Sequence, residues 1–551
     1  MRLYAIAFLI VLGLVGGAAI ALEKFTSAEN LLLRLGSFEL RIPRLALEET
    51  PLTQQELAAL FAKETPLSLA ERLARFTAER ARLPEAQGQS AVDGKMKEFI
   101  FKDILLEHVL AGRVGALRAS RLDETLGDDK AQSVAARYEN LTASGLTLTG
   151  LARLLEDPHG GDESVSIADA AALEKLTVTA NDGALSLAAA RLSTRRPRLA
   201  AFSDPALRRA TGEAQDRIAL VKEVVAAVSF ETLEAQDLSL SGAPAPADPA
   251  FSLGARDLAF EGLEKGVARK ARLAHFDLKS ADGGRIALEG ATFEGLDIGA
   301  ALTHSGLRAL HFDKARLEKL AGDAPAPDGR GRSKFALESA TLDLGHFRDG
   351  APTKAAARFQ SLSVDLAARG EETNAEFLRS LGYSTLEFSG AGAAEWREAS
   401  RQFDLSRLSL DAKGMFSLSL GAKLSGVDGA IFTASPLMAA PLLLASRLDR
   451  LEATLADPKL IDRLIERSAR QSGVDPARLR TDYARDMGRA ISVALGGSEK
   501  AKRIAAAVER FILRRSRLRL SLTAPQGLGV MDLLKSPPEI LQSLEVEASA
   551  E

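Results

Sequence analysis

Residues 230–242 read FETLEAQDLSLSG. An aromatic residue opens the stretch, Leu or Ala follows, a small residue interrupts, and leucines then alternate with polar residues. Successive side chains of a strand point to opposite faces, so this alternation describes a strand with one face turned toward a core. The cadence recurs as YENLTASGLTLTG from Tyr138, FSLGARDLAFEGL from Phe251, IALEGATFEGLDIG from Ile286 and FALESATLDLGHF from Phe335. Spacing between the copies is irregular, unlike a strict solenoid. Each copy is bounded by Gly, Asp, Ser or Pro, and Asp182-Gly183 between two alternating runs signals a hairpin. Many strands in succession with short turns predict a β-dominated α+β chain. Its body is a long antiparallel meander, as a curved sheet or an open groove, with inserted helices.

Working outward from the meander, the preceding region mixes elements. Residues 38–47 (FELRIPRLAL) alternate as a strand, and Pro43 argues for an edge position. Residues 53–60 read as helical, and so do residues 67–83, where Leu69, Leu73, Phe76 and Arg80 recur at three- and four-residue steps. Residues 96–121 read as paired strands turning at Gly112. A helix is expected over 203–228, on the stripe Ile218, Val221, Val225 and Val228. The Pro/Ala/Gly/Asp stretches 242–250 and 322–333 read as exposed loops.

The last part of the chain changes character. Asp457-Pro458 is an N-cap followed by proline in the first turn, and Gly473 closes that helix. Asp475-Pro476 repeats the signal, with Gly496 closing. Ser498 opens a third helix. The second of these carries Leu479, Tyr483, Met487 and Ile491 as an apolar stripe. Three helices are thus expected between strands at 450–455 and 517–522. In the later strand Leu518, Leu520 and Leu522 should face inward, and Arg517 and Arg519 outward. The sequence accordingly divides into 1–22, a strand-and-helix region at 23–130, the meander at 131–456, and the helical insertion with closing strands at 457–551.

Residues 3–22 read LYAIAFLIVLGLVGGAAIAL without a charge, enough for a helix to cross a bilayer. Arg2 precedes the run, which favours the N-terminus inside and the bulk of the chain outside. Two readings stand, an uncleaved single-pass transmembrane helix and a signal peptide cleaved after Ala19-Ile20-Ala21. Either one exports the remainder.

Composition narrows the chemistry. Hydrophobic residues make up 46% and charged residues 26%, which excludes wholesale disorder. Aromatics are 5%, with Trp396 the single tryptophan, so aliphatic residues must build the core. The absence of cysteine removes disulfides, thiolate metal sites and thiol nucleophiles together. A net charge of −3 argues against a dedicated nucleic-acid binder. The six histidines form no metal pair, Gly329-Arg330-Gly331 lacks the strand-to-helix setting of a phosphate loop, and no G-x-S-x-G elbow occurs. The expectation is a protein with no catalytic, cofactor or metal residues.

One charged region stands out. Residues 458–519 carry a net charge of +9, which leaves −12 for the remainder. The candidate contact with anionic lipid or a protein partner is Arg510, Arg514, Arg515, Arg517 and Arg519. The alternative is a solvated helical face with no ligand.

The leading anchor segment, the cysteine-free Leu-x-Leu cadence, and a helical insertion before the closing strands resemble the AsmA-like and YdgA-like exported envelope proteins of Gram-negative bacteria. The fragments FIFKDILLEHVLAGRVGALRAS from Phe99 and YENLTASGLTLTG from Tyr138 are similar to uncharacterised alphaproteobacterial members of that group. The resemblance implies an inner-membrane anchor, a periplasmic body and an apolar groove engaged in lipid traffic. The chain is shorter than the lipid-bridging members and interrupted by helices. The expected function is lipid handling in the envelope. A scaffold for an envelope protein is the alternative, and an exported hydrolase comes last.

Overall fold

The computed structural model describes residues 25–551 apart from 36–37, 63–65, 93–94, 127–132, 157–163, 181–182, 201–224, 244–249, 304–310, 326–330, 367–372, 433–437, 439–440, 443, 458, 516, 530–531 and 533–534. The apolar segment 3–22 and nearly all of the helix expected over 203–228 lie outside these residues. Among the described residues no helix is long and apolar enough to cross a membrane. The chain forms two units, residues 1–282 with 292–304, and residues 283–291 with 305–551.

The first unit is an antiparallel meander. Its strands are β1 (Phe25–Leu35), β2 (Phe38–Glu48), β3 (Ala78–Val92), β4 (Lys95–Leu110), β5 (Arg113–Leu126), β6 (Val134–Thr147), β7 (Val165–Ser166), β8 (Ala170–Ala180), β9 (Leu185–Arg195), β10 (Arg198–Leu199), β11 (Val228–Gly242), β12 (Phe251–Glu264) and β13 (Val267–Ser280). Each long strand pairs with the next long strand, while the two-residue β7 and β10 make a side ladder on the start of β11. Helices α1 (Gln54–Leu60), α2 (Leu69–Leu73) and α3 (Leu148–Glu156) bury Leu57, Leu60, Leu69, Leu73 and Leu151 in one core with Leu40, Phe99, Phe101 and Leu117. Thr53 and Ser68 start the first two helices with reciprocal capping boxes to Glu56 and Glu71.

The helix expected over 67–83 is corrected. It stops at Leu73, and Ala78 begins β3, which places Pro84 inside a strand. The three- and four-residue spacing was real only for the first turns. Beyond them, Ala78, Ala81 and Leu83 are buried through pairing with β4. Pro43 likewise sits on an internal strand, since β2 lies between β1 and β3.

Both prolines are accommodated by a line of interrupted pairing that crosses the first unit. Asp103 (φ 50°), Asn140 (φ 51°), Lys175 (φ 64°), Asp237 (φ 47°) and His275 (φ 50°) are left-handed residues inside strands. They stand on β4, β6, β8, β11 and β13, of which β6 and β8 are direct neighbours and the others are separated by one long strand. The register is unchanged on either side of Asp103, from Leu83–Ile104 to Glu85–Lys102, so Pro84 faces a position that forms no ladder bond. Asn30 (φ 54°) and Pro43 repeat the arrangement between β1 and β2. Asn and Asp tolerate this conformation better than other non-glycine residues, and proline needs a place where no N–H is required. A left-handed residue also resets the two-residue alternation. Phe99 and Phe101 are buried before Asp103, and Ile104 and Leu106 after it. That phase change explains why the strand cadence looked irregular in the sequence.

Strand β14 (Arg285–Asp297), whose residues are shared between the units, leads into α4 (Ile298–Thr303). The second unit is a meander of β15 (Lys314–Pro325), β16 (Arg332–Arg348), β17 (Ala351–Asp365), β18 (Thr385–Arg397), β19 (Gln402–Ala412), β20 (Phe416–Ser425), β21 (Arg447–Ala456), β22 (Arg517–Gly529) and β23 (Glu545–Ala550). It carries α5 (Thr373–Ser380), α6 (Leu460–Ser472), α7 (Pro476–Ala494), α8 (Glu499–Arg514) and α9 (Pro537–Gln542). The loop expected over 322–333 is shorter, because β15 continues to Pro325 and β16 begins at Arg332. Gly322 belongs to the strand because the Phe335 ring occupies the space of its missing side chain.

The second and third inserted helices start at the expected caps, while the first begins at Leu460 with Lys459 rather than Asp457 in the cap position. The Asp457 carboxylate accepts the N–H groups of Leu460 and Ile461, and Gly473 ends α6 in a left-handed conformation at φ 70°. Asp475 caps α7 with Pro476 in its first turn, and Ser498 caps α8. The apolar stripe of α7 is corrected. Its buried residues are Ala484 and Gly488, which pack against α8, while Tyr483 and Met487 face outward at 47% and 49% exposure. Small residues let the two helices approach closely, so the large apolar ones take the other side.

Candidate functional site

Residues directly opposite in an antiparallel pair share a face, so the register of the second unit sorts its side chains into transverse rows. One row runs Ala340, Phe359, Gly390, Leu410, Leu418, Leu455 and Leu518 from β16 to β22. The next on the same face runs Leu342, Ala357, Gly392, Leu408, Leu420, Ala453 and Leu520. Helices cover the margins of this apolar face. Phe511, Ile512 and Val508 of α8 pack on Leu455 and Leu518, and Leu520 and Leu522 join a core with Ile504 and Leu541. At another margin Leu378 of α5 and Leu464 of α6 pack with Leu386, Phe388 and Phe416. In the strip between, Leu342, Leu410, Leu418 and Leu420 are half-buried and Leu408 is 44% exposed.

The other face is polar. Its central row is Arg358, Ala391, Ser409, Ser419, Thr454 and Arg519. Small residues in the middle and arginines at the ends leave a trough of ≈ 690 Å³, whose lining also includes Arg407, Ser417 and Arg517. Its acids are Glu338 and Asp411. The first unit carries a similar trough of ≈ 460 Å³, with Arg118, Arg191 and Arg195 around Thr142, Ser144 and Ser193.

The five arginines singled out from the sequence separate. Arg517 and Arg519 line the trough, as the outward side of β22 requires, and Leu518, Leu520 and Leu522 turn to the helices. Arg519 reaches Glu551 at 3.3 Å. Arg510 donates to the Ala506 carbonyl, Arg515 pairs with Asp462 at 3.1 Å, and Arg514 ends α8. Arg358 and Arg407 join the trough from distant strands. Nothing local marked them, since each is one polar residue in an alternating run.

Much of the basic excess in 458–519 has structural work. Arg463 lies 4.0 Å over the Tyr383 ring and Arg467 lies 4.7 Å over Phe377. Arg480 is bonded to Asp462 and to the Ile512 carbonyl. Lys500 donates to the carbonyls of Leu541, Gln542 and Leu544.

One buried ionisable cluster occurs in the first unit. The Lys97 ammonium, 2% exposed, is 2.6 Å from Glu124. Burial, with Glu124 beside it, pushes the Tyr138 hydroxyl far above its ordinary range. Among the described residues no group of three or more His, Asp or Glu residues could hold a metal ion.

A family model described as an uncharacterized protein matches residues 409–551, which run from the last residues of β19 to Glu551 and include the three inserted helices. No curated protein matches the chain.

Proposed function

We propose that this is a membrane-anchored envelope protein that shelters the acyl chains of amphipathic lipids on the apolar face of its second unit. The half-open strip around Leu408 and Leu420 carries the reading. A leucine-rich face that helices cover at its margins and leave open in its middle offers the apolar contact such chains need. The segment 3–22 supplies the membrane anchor in this reading, with the body in the periplasm. Lipid handling is also what the resemblance to AsmA-like proteins implies.

The test is mass spectrometry of lipids that co-purify with the full-length chain extracted in detergent. Wild type should retain diacyl lipid, and Leu408→Asp with Leu420→Asp should lose most of it while keeping the β-rich circular dichroism of the parent. Equal lipid in both proteins would overturn the assignment of the strip.

A second reading rests on α7. Tyr483, Met487 and Val493 are 47%, 49% and 74% exposed, a side that a protein scaffold would use for a partner helix. Capture of one stoichiometric protein from membranes, abolished by Tyr483→Ser with Met487→Ser and without bound lipid, would favour it.

A further inference from the structure

We infer that the polar trough of the second unit is a binding site for an extended acidic oligosaccharide. The first argument is charge. Among the described residues, the guanidinium groups of Arg358, Arg407 and Arg517 have neither an ion-pair nor a hydrogen-bond partner. Arginine on a solvated sheet face ordinarily meets an acid nearby, as Arg397 meets Asp404 across the pair β18–β19 and Arg316 meets Glu318 two residues along β15 in the same unit. Here four arginines line one depression against two acids. Each is a planar fork of donors suited to carboxylate or phosphate oxygens.

The second argument is the floor. Between the arginines stand Ala391, Ser409, Ser417, Ser419 and Thr454. Long side chains there would fill the depression. Small ones keep it open, and the hydroxyls both donate and accept, which suits a ligand rich in hydroxyl groups. The third argument is length. Arg358 on β17 and Arg519 on β22 end one transverse row, roughly 24 Å apart at about 4.8 Å per strand. That exceeds a single phosphate or headgroup several times and fits a chain lying across the strands. The lone aromatic residue in the lining, Phe359, belongs to the apolar row on the other face, so stacked nucleobases lack the platform they require. The trough of the first unit, built from other strands, repeats the combination of arginines with Ser, Thr and Ala.

The anion can be a carboxylate or a phosphate on the sugar, and the two chemistries place the same demand on the arginines. The experiment titrates the full-length protein in detergent with a hexamer of mannuronate, with cellohexaose, with inorganic phosphate, and with vesicles containing phosphatidylglycerol. The acidic hexamer should bind at least tenfold tighter than the neutral one and tighter than inorganic phosphate, and added salt should weaken it. Arg358→Gln and Arg407→Gln should each weaken it about tenfold, and Arg316→Gln, outside the lining, should leave it unchanged. Equal binding of the two hexamers, or wild-type binding by both trough variants, overturns the inference. So does arginine-dependent vesicle binding without hexamer binding, which assigns the trough to headgroups. Lipid retention on the opposite face should be the same in the trough variants, so this proposal and the lipid reading fail separately.

Discussion

Phe359 lies directly across from Gly390, and a Cβ at Gly390 would stand 2.5 Å from its ring and 2.9 Å from the Ser409 carbonyl. The same cross-strand relation joins Phe335 to Gly322 and Phe99 to Gly88. In each pair the ring covers the backbone that glycine leaves bare, and the pairing cannot slip without exposing both. Gly390→Ala should therefore cost about 1–3 kcal/mol by overpacking. Gly345→Ala, with nothing within 4 Å, lacks that penalty. Urea unfolding of the two variants followed by circular dichroism checks the contrast.

The line of left-handed residues makes a second prediction. Asn140 holds φ 51° within β6. A β-branched side chain there meets the following carbonyl, so Asn140→Val should cost about 1–2 kcal/mol, whereas Asn140→Gly should be tolerated. Hydrogen exchange of the β6 amides is the direct reading, with faster exchange expected in the valine variant alone.

Lys97 and Glu124 form a buried pair 2.6 Å apart. Removing one partner leaves the other charge desolvated without compensation, so Lys97→Met should cost about 3–5 kcal/mol. Lys97→Met combined with Glu124→Leu should recover most of that loss. Thermal unfolding of the three proteins at one ionic strength decides it.

Arg463 ties α6 to the loop after α5, stacking on Tyr383 and donating to the Leu381 carbonyl at 3.1 Å. Arg463→Ala should destabilise the second unit by about 1–2 kcal/mol. A double-mutant cycle with Tyr383→Leu should show a non-zero coupling energy. Additive losses would mean that the stacking contributes nothing.

Asp457 makes the pH prediction. Burial pushes its carboxyl above the ordinary 3.8, against the hydrogen bonds from Ile461 and Leu460. The folded state thus holds this proton more tightly than the unfolded chain does. The resulting stabilisation is complete below about pH 3.8 and is lost as pH rises through the raised folded value. The stability of wild type relative to Asp457→Asn should accordingly fall between pH 3.5 and pH 7. A flat or rising difference would contradict it.

The sequence by itself determined the local elements. Period-two runs announced β6, β11, β12, β14 and β16, and Asp475, Ser498 and Gly473 marked helix ends, because a strand's alternation and a cap's hydrogen bond involve residues a few positions apart. What only the tertiary structure decided involves residues brought together across strands. Residues 78–83 are extended because β4 pairs with them, not because of their own spacing. Tyr483 and Met487 face outward because Ala484 and Gly488 permit closer packing on α8. The trough joins Arg358, Arg407, Arg517 and Arg519 from three strands far apart in sequence, and each looks alone like an ordinary solvent-facing residue. Its position follows from register, and register depends on the ring–glycine pairs and left-handed residues that set the phase of each strand.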